Sequence, residues 1–220
     1  MDRLESLAGG RGPERTAVRE AADALRKAIE AVVATTAPPE VLEDAAAQIR
    51  AVADTLAQYP HGHNYINAEA SITGHVGDFF DNSPVAGLGN PLAAPVRMRV
   101  EGDEVIGEVT WGSAYEGPPG CCHGGYVAAA FDDVLGLAQD LAGQSGMTGT
   151  LTIRYRRPTP LHREHRFVAR LDRVEGRKIF TTGELYDPEG NVLAEGEGIF
   201  IAVDFAKLQQ LADGRKPPSG

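Results

Sequence analysis

Two spacings of apolar residues divide the chain. In "ERTAVREAADALRKAIEAVVATTA", Val18, Ala21/Ala22, Leu25, Ala28/Ile29 and Val32 recur three or four apart. This predicts an amphipathic helix, ended by Pro38 and Pro39. "EVLEDAAAQIRAVADTLAQYP" repeats the pattern through Leu42, Ala45/Ala46, Ile49, Val52/Ala53 and Leu56, with Pro60 closing it. The two predict a helical hairpin whose stripe needs a surface to pack on, since alone it is marginal.

Further along, short apolar runs alternate with turn formers. "VRMRVEGDEVIGEVTWG" predicts a strand, a Gly-Asp turn and a strand. "GGYVAAAFDDVLGLAQDLAG" predicts one helix, closed by Gly143. "GTLTIRYRRP", "REHRFVARLDRVEG", "RKIFTTGELYD" and "GNVLAEGEGIFIAVD" predict four more strands joined by short turns. Short turns require antiparallel neighbours. The expected class is therefore α+β, an antiparallel sheet with one long helix on one face. The expected organisation is a helical hairpin over 1–60 and an ordered, partly buried loop and linker over 61–95. The sheet domain follows over 96–205, then a tail over 206–220 that starts helical and ends disordered.

Composition narrows the function classes. A formal charge of −10 on 220 residues argues against a general nucleic-acid binder, although a local Arg cluster could still hold a small anion. No apolar run reaches the length of a membrane span and the first residues lack a signal-peptide core, so the cytoplasm is expected. The only cysteines, Cys121 and Cys122, are adjacent and cannot staple distant segments. They make a poor zinc site without a second pair. His61, His63, His75, His162 and His165 show no metal spacing and are expected in loops or at the surface.

The helix after "EGPPGCCHGG" carries the candidate chemistry. At about 100° per residue, Val127, Phe131, Val134, Ala138 and Leu141 share one face, with Ala130 and Leu137 at its edge. Gly125, Ala128, Ala129, Asp132 and Gly136 lie opposite. A solvated face normally carries Lys, Glu or Gln. This stripe of small residues around one carboxylate suits close approach by the same helix of a second protomer. Gly124 and Gly125 leave the helix N-terminal N–H groups open to a ligand oxygen, which suits a developing oxyanion. His123 and Asp132 are nine residues apart, about 13 Å along the axis, so a shared site needs two antiparallel protomers.

"EGPPGCCHGGYVAAAFDD" resembles the motif of hotdog-fold acyl-CoA thioesterases, the PaaI-like and human thioesterase-superfamily branch. "TGTLTIRYRRPTPL" resembles that family's strand after the central helix, and "SPVAGLGNPLAAP" the Asn-Pro segment before its first strand. The resemblance covers about residues 78–205 and implies a hotdog fold. It also implies acyl-CoA hydrolysis by a homodimer or tetramer with intersubunit sites, needing no metal and no retained cofactor, since CoA arrives with the substrate. Carried over by position, His123 and the Gly124 amide face the thioester carbonyl, with Gly125 and Asn90 beside the substrate. Asp132 is base or nucleophile, and Thr148 orients it or the water. Gly117 falls where some relatives carry an Asn. Asp133 takes no role from the resemblance and is expected to be structural or solvated.

Arg154 and Arg156, alternating on one strand, and Arg157 are candidates for CoA phosphates, with Lys178 near them. Solubility of an exposed face accounts for them as well. The rival readings of the whole chain are a non-catalytic acyl-CoA-binding or regulatory protein and a structural oligomerisation protein whose helical hairpin recruits a partner.

Overall fold

The computed structural model describes residues 13–59, 80–144 and 146–203. Helix α1 spans Pro13–Ala34 and α2 spans Pro39–Leu56. Strands β1 (Arg97–Glu101) and β2 (Glu104–Thr110) follow, then α3 (Gly124–Gln139). Strands β3 (Gly146–Tyr155), β4 (Glu164–Glu175), β5 (Lys178–Tyr186) and β6 (Val192–Ala202) complete one six-stranded sheet. Its order is β1-β2-β4-β5-β6-β3, with every pairing antiparallel. The sheet and single covering helix are those expected.

Helix α3 lies on the sheet by nesting its side chains over glycines. A Cβ on Gly196 of β6 would stand 2.5 Å from the Phe131 ring. One on Gly107 of β2 would meet Val134 at 3.3 Å, and one on Gly183 of β5 would meet Leu135 at 3.3 Å. Val127, Ala130, Phe131, Val134, Leu137 and Ala138 are buried as the periodicity predicts, and Leu141 is half-buried. Phe131 meets Phe167 of β4 edge-to-face at 4.9 Å, a favoured aromatic geometry. Gly143 ends the helical run with φ 73°, a left-handed conformation that costs glycine little.

Two details set the position of β3. Gln139, buried at the end of α3, donates to the Gly146 carbonyl (3.0 Å) and accepts from its N–H (2.9 Å). The β3–β6 ladder then shifts between Thr148 and Thr150. Unbroken alternation would put Thr148 on the face opposite Leu151, Ile153 and Tyr155; the extra residue, Gly149, returns it to the helix side. Among the described residues β3 pairs on one side only, leaving its other edge open.

The N-terminal helices follow one another across Pro38–Pro39, but their apolar stripes are only partly covered, with Leu25, Ala28, Ala45 and Ala46 half-buried. In α1, Val18 and Val32 are exposed and, among its described side chains, only Ala22 is fully buried; α2 buries no residue. Helix α1 is also held by polar contacts. Asp81 binds both Arg15 (2.8 Å) and Arg19 (2.9 Å), and Arg26 donates to the Leu88 and Asn90 carbonyls. The segment from Phe80 to Pro95 is a partly buried loop, with Phe80, Asp81, Ser83, Ala86 and Ala94 buried, and the rest of the expected 61–95 loop lies outside the described residues. Expectations for Phe79, His61, His63, His75 and the tail lie outside the described residues. His165 corrects one expectation. It is buried in the core with its ring 5.5 Å from that of Trp111, and burial lowers its pKa.

Candidate active site

The stripe of α3 opposite the sheet is open. Gly125 and Tyr126 are exposed, and Ala128, Ala129, Asp132 and Gly136 are half-buried, while Val127, Ala130, Phe131, Val134 and Leu135 are covered. Here the Thr148 hydroxyl donates to Asp132 Oδ1 at 2.8 Å. The contact depends on the bulge that turns Thr148 inward. It leaves the second carboxylate oxygen of Asp132 directed by one bond made through the first.

Asp133 is the carboxylate that sequence reasoning left without a partner. It is half-buried against the Phe80–Pro95 loop, where Ser83 Oγ donates to its Oδ2 at 2.5 Å. The same Ser83 oxygen accepts the N–H groups of Val85 (3.0 Å) and Ala86 (3.2 Å). Loss of hydration raises the pKa of Asp133 to about 6; the Ser83 bond opposes the rise and neighbouring Asp132 adds to it. Asp133 therefore fastens the loop to α3 while Asp132 stays accessible. Nothing local in the sequence points to Ser83, fifty residues upstream.

At the other end of α3, His123 is the N-cap, its Nδ1 accepting from the Gly125 N–H at 3.0 Å. This requires an unprotonated Nδ1. The glycines give the imidazole room: a Cβ on Gly125 would lie 3.0 Å from its Nδ1, and one on Gly117 would lie 2.8 Å from His123 Cα. A side chain at 117, such as the Asn of some relatives, does not fit without a shift. The His123 carbonyl accepts from Tyr126 and Val127. The Gly124 N–H, by contrast, finds no acceptor among the described residues, as expected of a first-turn donor. Its carbonyl accepts from the Tyr155 hydroxyl at 2.7 Å. Tyr115 and Tyr126 stack edge-to-face at 4.9 Å beside this end, and burial pushes the Tyr115 phenol up to about 12.

Other candidates are engaged elsewhere. The Asn90 amide donates to the Asn82 carbonyl (3.1 Å) and accepts from the Leu92 N–H (3.0 Å), which staples its own loop. Arg154 and Arg156 do share a face, but it is the one away from α3, where they pair with Glu197 and Glu195. Arg157 and Lys178 are exposed. Burial pushes the Cys122 thiol up to about 12, unsuited to a nucleophile. Among the described residues no cluster of His, Cys, Asp and Glu could hold a metal ion, and no helix is long and apolar enough to cross a membrane.

A family profile, Thioesterase superfamily, matches residues 119–194, from the turn before α3 into β6. A crystal structure described as a thioesterase superfamily protein is 35% identical, with a TM-score of 0.74, over 84% of this chain and 94% of that one. The chain belongs to the thioesterase superfamily. The hotdog fold of that superfamily accounts for the sheet and for α3. These occupy residues 97–202, under half of the chain, so a match over 84% takes in N-terminal helical sequence as well.

Among curated relatives, the acyl-coenzyme A thioesterase THEM4 of Xenopus laevis is 33% identical over 91 residues, covering 41% of this chain and 41% of that protein. The acyl-coenzyme A thioesterase THEM5 of Homo sapiens is 32% identical over 95 residues, covering 43% and 38%. The chain spans about two fifths of the length of these superfamily members.

Proposed function

We propose that this thioesterase-superfamily protein hydrolyses acyl-CoA thioesters to a carboxylic acid and free CoA, in the cytoplasm. The observation that carries the reading is Asp132, set on the open stripe of α3 and oriented by the Thr148 hydroxyl at 2.8 Å. The Gly124 N–H, free of any described acceptor at the helix start, suits the thioester oxygen as it gains charge. Asp132 either removes a proton from water or attacks the carbonyl itself. On the first route the water oxygen bonds to the acyl carbon, the carbon–sulfur bond breaks, and the CoA thiolate takes up the proton. On the second route the Asp132 oxygen bonds to the acyl carbon as the carbon–sulfur bond breaks. Water then cleaves the anhydride to the carboxylic acid and free Asp132, and the CoA thiolate takes up the proton that water releases.

Gly124 and Asp132 lie eight residues apart on one helix, about 12 Å along its axis, too far to reach one carbon. The site we propose is therefore intersubunit, in a homodimer or a tetramer built from it. The open edge of β3 and the uncovered small-residue stripe beside it support that assembly. Acyl-CoA is a substrate here, and the chemistry calls on no metal and no retained cofactor.

Thiol release from short, long and aromatic acyl-CoAs tests the reading, with wild type set against Asp132→Asn. Loss of about two or more orders of magnitude in kcat on some substrate supports it. Equal rates in the two proteins remove Asp132 from the chemistry. Binding of acyl-CoA without thiol release by wild type leaves a non-catalytic binder.

A further inference from the structure

The carboxylate of Glu30, near the end of α1, reaches the segment that leads into α3. Its Oε1 accepts the Ser113 N–H at 2.8 Å and its Oε2 accepts the Ala114 N–H at 3.0 Å. These are the first N–H groups of a 3-10 turn, Ser113–Tyr115, and have no partner within so short an element. A carboxylate satisfies both with charge-assisted bonds. Burial works against the charge of Glu30, but the bonds from Ala114 and Ser113 outweigh it and hold its carboxyl below the usual range. At the far end of the turn, the Tyr115 carbonyl accepts the His123 N–H at 2.8 Å. His123 caps α3, and the next N–H is that of Gly124.

Gly112 gives an independent sign that the seat is built for this carboxylate. A Cβ there would lie 2.5 Å from Glu30 Oε2. The backbone of Gly112, at φ −91° and ψ −170°, is extended and open to any residue. The space, and no conformational demand, keeps a side chain out.

We propose that Glu30 is a positioning residue for the reaction at Gly124. It fixes the Ser113–Tyr115 turn and, through the Tyr115 carbonyl, the direction in which the Gly124 N–H points. The catalytic consequence rests on the acyl-CoA reading above; the mechanical link does not. Helix α1, outside the sheet domain, thereby becomes part of the support of the site.

The test compares full-length wild type with Glu30→Ala, Glu30→Gln, Gly112→Ala and, as a control on the solvent side of α1, Asp23→Asn. Steady-state thiol release and amide hydrogen exchange at residues 113–127 are the readouts. Glu30→Ala and Gly112→Ala, which reach the same gap from opposite sides, should each lower kcat about tenfold or more with KM nearly unchanged, since about 1 Å of misplacement can cost about 10²-fold. Glu30→Gln, able to accept one of the two N–H groups, should fall between, and Asp23→Asn should match wild type. Exchange at His123 should quicken in the two Ala variants. A kcat for Glu30→Ala within about twofold of wild type, or a loss confined to KM, overturns the proposal. If wild type releases no thiol from any acyl-CoA, the acyl-CoA reading fails by itself and exchange alone decides. Faster exchange at His123 then upholds the link from α1, and unchanged exchange overturns it.

Discussion

Thr148 and Asp132, sixteen residues apart, meet at 2.8 Å because an extra residue in β3 turns the threonine toward α3. The bond uses the hydroxyl alone. Thr148→Val keeps the β-branched shape but gives up the donor, so kcat should fall about tenfold or more with stability nearly unchanged. Thr148→Ser restores the donor and should recover most of the rate. Equal kcat for the Val and Ser variants would detach this hydroxyl from the chemistry.

Asp133 should make stability depend on pH. Its folded pKa, about 6, lies above the ordinary 3.8. The folded state therefore favours the protonated form, and that contribution is complete below pH 3.8 and lost as pH rises through about 6. The difference between the two values corresponds to about 3 kcal/mol. Asp133→Asn keeps an acceptor for Ser83 and cannot ionise. Its stability relative to wild type should thus increase between about pH 4 and pH 7 by up to that amount. Urea unfolding of both proteins across this range checks it; parallel curves would refute a buried ionisation.

Gly124→Pro removes the candidate oxyanion donor with little other change. Proline suits the first position of a helix, and His123, at ψ 129°, already has the extended backbone required before it. Only the Tyr155 ring, 3.3 Å from where a Cβ would stand, has to give slightly. A kcat loss of about 10²–10³ is expected, the usual cost of one such donor. Denatured and refolded together, Gly124→Pro and Asp132→Asn should regain about a quarter of wild-type activity. Half of randomly paired dimers are mixed, and each mixed dimer has one intact site of two. No recovery in refolded, dimeric protein would mean that each site lies within one chain.

Cys122 should be inert. With its thiol pushed up to about 12 and its side chain buried, iodoacetamide at pH 8 should leave it unmodified in the native protein and label it after unfolding. Cys122→Ala should keep the wild-type pH profile. Inactivation by labelling of Cys122 in the folded protein would reopen a thiol mechanism.

What was legible in the sequence depended on how locally each feature is encoded. Helix α3, its buried face and its open stripe follow from spacing within one segment, and the strands follow from turn formers between apolar runs. Thr148 came from motif spacing; strand alternation without the bulge would have turned it outward. The shared face of Arg154 and Arg156 was readable, but which face it is depends on the β6 register that pairs them with Glu195 and Glu197. The pairs Ser83–Asp133 and Glu30–Ser113 were out of reach, because each joins an irregular segment to an element 50 or 83 residues away. His165 was expected in a loop or at the surface, and its place in the core beside the Trp111 ring depends on a tertiary contact that spacing does not encode.

The attachment of α1 has a further effect. Among the described residues its apolar burial is slight, Ala22 with half-buried Leu25 and Ala28, and it is also held by guanidinium and carboxylate contacts, which salt weakens far more than it weakens a packed apolar core. The molecule thus contains two units of unequal resilience, a sheet cemented by aromatic and aliphatic packing and a strut clipped to its rim. Heat or ionic strength can release the strut while the sheet's circular dichroism stays native. Loss of turnover would then run ahead of the melting transition, and a thermal scan alone would overstate the range over which the protein works.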